Sequence, residues 1–128
     1  MSTQVVHPQR LAWDAARVVV RALGSVEVLK WLHGQMAARL GPAQAQALVA
    51  SRDRLWGNPR PDAPHVEAGI WRARLADLVA ADGSLATPIS EITAEGAVRL
   101  AHATDVMVHG ELALIDGPRV IDLDVHRP

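Results

Sequence analysis

The sequence predicts an α+β fold that is mainly helical: about five helices packed as a small bundle, followed by a C-terminal β-hairpin. Three observations carry that expectation. Four segments place apolar residues at helical spacing, each bounded by glycine, proline or serine. A fifth helix start is legible at Thr93. Residues 112–115 and 120–125 then form two apolar runs around Asp116-Gly117, a strong hairpin signal.

The first helix is expected over residues 8–23. Pro8 suits a first-turn position, and Gly24 suits a left-handed stop. Arg10, Asp14, Arg17 and Arg21 make one narrow polar stripe. Leu11, Ala12, Trp13, Ala15, Ala16, Val18, Val19 and Val20 fill the rest. That apolar arc is wider than the face of a surface helix, so this helix should be covered from two sides.

Ser25 caps the second helix, which has Glu27 in its first turn and runs to about Leu40. Val26, Leu29, Leu32, Met36 and Leu40 line one face. Gly41 stops it. Pro42 opens a third helix reaching about Trp56. Residues 57–65 hold three prolines and read as a hinge. A fourth helix covers about 66–81, with Ala68, Trp71, Leu75, Leu78 and Val79 on its apolar face. A brief helical turn is expected at 88–92, then a helix from 94 to at least 103. Residues 105–109 suit either helix or strand. Pro118, just after the Asp-Gly turn, could lengthen the hairpin loop. Residues 66–125 therefore also parse in the element order of a winged helix.

At 128 residues the chain suits a single domain with a substantial core. Its 49% hydrophobic and 21% charged content is that of a globular chain. There is no Phe or Tyr, so aliphatic residues and four tryptophans must fill the interior. With no cysteine, disulfides and thiolate chemistry are excluded. The N-terminus lacks a basic region followed by an apolar stretch, and no apolar run reaches membrane-span length. A cytoplasmic location is the expectation.

Charge divides the chain. Residues 1–60 carry eight basic and three acidic side chains, residues 61–128 five basic and eleven acidic, leaving −1 overall. The expected domain thus has a basic helical half (1–60), the hinge (57–65), and an acidic half (66–128) with helix and hairpin. Two such halves should attract, within one molecule or between two.

Candidate sites follow from spacing. His102, Asp105 and His109 stand at i, i+3, i+7 and share a face if the helix continues through 109. They could bind a divalent metal such as zinc, iron or manganese, or form a His–carboxylate acid/base pair. A solvent-facing polar stripe with Glu95 and Arg99 explains the same pattern. Asp122, Asp124 and His126 alternate along the last strand and could join such a cluster, or simply keep an edge strand wet. Trp31 lies on the polar side of the second helix beside Glu27, Gln35 and Ala38. Trp13 borders the first helix's apolar arc. Both are candidate interface anchors, or rings lying across neighbouring helices. Arg52, Arg54 and Arg60 form a basic cluster near Trp56 that could bind an anion or pair with the acidic half. His33 reads as a boundary residue. No phosphate-binding glycine loop, serine elbow, HExxH or EF-hand loop is present.

Three functions fit. The first is a small soluble regulatory or accessory protein acting by protein–protein association, as a homodimer. The second is a small enzyme with a site at His102, Asp105 and His109, and Glu111 or Asp124 beside them. The third is a winged-helix DNA-binding regulator. Against the last, the would-be recognition helix carries Arg99 alone, opposed by Glu95 and Asp105.

Overall fold

In the computed structural model, residues 8–58 and 60–105 are described. They form α1 (Pro8–Ala22), α2 (Val26–Arg39), α3 (Pro42–Gly57), α4 (Ala63–Ala81) and α5 (Ala86–His102), with a 3₁₀ turn at Gly83–Leu85. Among the described residues there is no strand. The described residues are all-α, which corrects the α+β expectation. The expected hairpin, residues 112–125, lies outside the described residues.

The winged-helix parse is corrected too. The helices expected at 88–92 and from 94 onward are one helix, α5, ending at His102. Pro88 is the third residue of α5, where an N–H has no intrahelical acceptor to lose. Thr93 does not cap a helix. Its hydroxyl donates to the Ile89 carbonyl at 2.7 Å, so its oxygen is satisfied inside the helix it was expected to start.

The other helix ends show how local chemistry sets the boundaries. Ser25 caps α2, its Oγ accepting the Val28 N–H at 3.1 Å. Gly41 stops α2: its N–H bonds the Met36 carbonyl at 2.8 Å, and its φ of 108° turns the following chain out of the helix. Gly24 needs no such conformation. Here α1 closes by tight bonds instead, Gly24 N–H to Arg21 O and Ser25 N–H to Ala22 O, each 3.0 Å.

Helix α1 is the central element. It packs mainly against α4 and α5 and more lightly against α2. Its wide apolar arc is thus covered from two sides, with Ala12, Ala15, Ala16, Val19 and Ala22 all buried. Helix α3 stands apart from this centre, packed on α2 and more sparsely on α4.

The core closes without Phe or Tyr. Trp71 is 1% exposed and Leu32, Met36, Leu48 and Leu75 are fully buried. A gap of about 10 Å³ remains among Ala15, Val19, Leu32, Met36, Leu75, Ile89 and Ile92. Its apolar lining offers a water molecule no hydrogen-bond partner. Helix α5 approaches α1 and α2 closely at Gly96, where a Cβ would stand 2.7 Å from Val18 Cγ1. No helix among the described residues is long and apolar enough to cross a membrane.

Candidate functional site

The catalytic and metal expectation rests on His102, Asp105 and His109. Helix α5 ends at His102, whose Nδ1 lies 2.9 Å from the Val98 carbonyl. Asp105 lies past the helix end and turns to the start of α2. Its Oδ1 accepts the Ser25 hydroxyl at 2.5 Å, and its Oδ2 accepts the Glu27 N–H at 3.2 Å. A carboxylate there meets the positive end of the α2 dipole. The structure therefore gives His102 and Asp105 different partners. His109, Glu111, Asp122, Asp124 and His126 lie outside the described residues. Among the described residues no group of three His, Asp or Glu side chains could hold a metal ion.

The three arginines expected to bind an anion each meet a carboxylate. Arg52 Nη2 lies 3.0 Å from Asp53, and Arg60 Nε lies 3.2 Å from Asp62. Arg54 grips Glu67 with two bonds, Nε to Oε2 at 2.8 Å and Nη2 to Oε1 at 2.9 Å. Arg54 and Arg60 share one surface depression with Asn58, Asp62 and Glu67.

The sequence reading missed what surrounds Glu67. Its side chain is only 5% exposed. Ser51, fully buried on α3, donates to Glu67 Oε1, and Trp71 Nε1 donates to Ser51 Oγ at 2.9 Å. Burial pushes the Glu67 carboxyl up, but the bonds from Arg54 and Ser51 outweigh it and leave its pKa below the ordinary value. The same bond to Glu67 raises the pKa of Arg54. A second polar link joins these helices, Arg74 Nη1 to Gln44 Oε1 at 2.8 Å. Spacing held the clue: Glu67, Trp71 and Leu75 stand at i, i+4, i+8, on one buried face of α4. With its hydroxyl both donating and accepting, Ser51 locks α3 to α4 and presents no nucleophile to solvent.

The tryptophans separate clearly. Trp71 is core. Trp56 is 9% exposed and donates from Nε1 to the Leu23 carbonyl at 2.9 Å, tying α3 to the end of α1. Trp31 reaches α5, its ring near Gly96 and 4.7 Å from the Arg99 guanidinium carbon. Trp13 is different: it is 42% exposed. The guanidinium carbons of Arg17 and Arg72 lie 5.9 and 5.2 Å from its ring centre. Arg72 also donates to Gln9 Oε1 at 3.2 Å, which holds it beside α1. The sequence pattern gave no sign that Arg72, on α4, would stand here.

No protein-family model, curated protein or solved structure matches the chain. The functional reading therefore rests on the chain's own residues.

Proposed function

We propose that this is a small regulatory or accessory protein that acts by protein–protein association, with a second copy of itself as the first partner to test. The observation that carries the reading is Trp13. Three of the four indoles have work inside the fold, whereas Trp13 keeps 42% of its surface in water. Exposing a large ring forgoes burial worth about 2 kcal/mol. Tryptophan and arginine are also the residue types that most often anchor protein contacts.

The wide apolar arc and the charge division add less to this reading. The wide apolar arc of α1 is covered by α4 and α5. The opposed charges of the halves meet partly within one molecule, through Arg39–Glu91 and Arg54–Glu67. Association should thus centre on the exposed stripe of α1.

Native mass spectrometry of the wild type and Trp13→Ala, at moderate salt and without chelator, tests this. The expected result is a metal-free dimer that Trp13→Ala dissociates. A wild-type monomer at micromolar concentration, or a dimer indifferent to Trp13→Ala, would overturn self-association through this surface. A co-purified metal ion would direct attention to His102, Asp105 and His109 instead.

A further inference from the structure

Charge is unevenly neutralised over the surface. Around most of the molecule arginines meet carboxylates: Arg39 with Glu91, Arg54 with Glu67, Arg60 with Asp62, Arg99 with Glu95. The exposed stripe of α1 departs from this pattern. Arg10 and Arg17 share the one carboxylate of Asp14, at 3.9 and 3.3 Å. Arg21 is exposed and has no ion pair among the described residues. Arg72 adds a fourth guanidinium from α4, fixed by Gln9 and set against Trp13. The stripe with Arg72 thus holds four positive charges against one negative, and two of the four, Arg17 and Arg72, lie against the one strongly exposed indole.

We propose, resting on the association reading above, that this stripe docks an acidic segment of a partner protein. An apolar side chain of the segment would cover the Trp13 ring. Its flanking carboxylates would meet Arg10, Arg17, Arg21 and Arg72, whose planar forks match carboxylates in pairs. Removing water from the indole and guanidinium planes together strengthens both contacts. Asp14 adds specificity by holding Arg10 and Arg17 in position. It also lowers the local charge, which disfavours the unbroken phosphate row of a nucleic acid. Electrostatic steering speeds encounter with such a partner and weakens as salt screens it.

The test uses the full chain and a short fluorescein-labelled peptide alternating glutamate with leucine, read by fluorescence anisotropy. Binding should weaken by at least about tenfold in Trp13→Ala and again in the Arg17→Gln, Arg72→Gln double variant. It should fall with added salt. Lys30→Gln, an exposed cation on α2, should leave it unchanged. Circular dichroism confirms that each variant keeps its helices. Failure of the wild type to bind, or equal binding by the stripe variants, would overturn the proposal. So would tighter binding of an oligothymidylate that depends on the same arginines. The two readings can fail separately. A Trp13-dependent dimer that ignores the peptide leaves self-association standing and removes the acidic partner. A monomer that binds the peptide through Trp13 does the reverse.

Discussion

The buried face of α4 is held by shape where it meets α1 and by charge where it meets α3. Towards α1 it presents Leu75, which lines a common gap with Ala15 and Val19 and is 2% exposed. Towards α3 it presents Glu67, the Nε1 of Trp71, and Arg74, each bonded to a side chain across the seam. Apolar packing is non-directional and indifferent to proton concentration. A buried carboxylate is neither. It is stable only while its donors stay in place and it stays ionised. The central helices and α3 should therefore respond differently to the same disturbance.

Truncating the apolar side should have the largest effect. Leu75→Ala removes buried methyl groups beside an existing gap and should destabilise the fold by about 2–5 kcal/mol. Urea unfolding would measure this, and the loss should be similar at neutral and acidic pH. A loss that changes strongly with pH would mean the two sides of α4 are not separable.

Glu67→Gln tests the polar side with almost no change of volume. One oxygen that accepts from Arg54 or Ser51 becomes a donor facing a donor. The expected cost is about 1–3 kcal/mol at neutral pH, towards the lower end because Arg54 is half exposed and water can take over its charge. The pH dependence has a definite sign. The folded-state pKa of Glu67 is lowered, so its contribution is full above the ordinary glutamate range near pH 4.5. It is lost as pH falls through the lower folded value. Wild type should weaken in acid, Glu67→Gln less so, and their difference should shrink. Hydrogen exchange should find the loss concentrated in α3. A constant difference from neutral to acidic pH would show that Glu67 is not the titrating lock.

Much of the helical framework is legible in the chain, because helix ends depend on neighbours close in sequence. Ser25, Gly41 and Pro42 mark real boundaries for local reasons of capping and backbone conformation. Pro88 and Thr93 mislead for equally local reasons. A proline in the first turn and a threonine bonded back one turn both fit inside a helix. The surface around Trp13 was half visible: the stripe of Arg10, Asp14 and Arg17 follows from helical period, but Arg72 arrives from α4, more than fifty residues away. The Glu67 lock was hidden because a glutamate in an apolar pattern reads as surface until its partners on α3 are known. Composition foretold that opposite charges would meet, but not that Arg39–Glu91 and Arg54–Glu67 would do so within one molecule.

The smallest effect belongs to Asp105, and it sharpens the contrast between a structural carboxylate and a chemical one. Glu67 is buried under α3, whereas Asp105 is partly exposed at the α2 terminus. Asp105→Asn keeps one accepting oxygen but turns an amide towards the second donor, and it removes a negative charge from the helix N-terminus. The expected loss is about 1 kcal/mol, partly screened by salt. Thermal unfolding of metal-free protein at low and high salt would measure it. A cap and a ligand differ here. If Asp105 serves as a cap, the loss appears without any metal and shrinks with salt. If its role is to bind a cation with His102 and His109, metal-free stability stays unchanged and the variant differs only once a divalent ion is added.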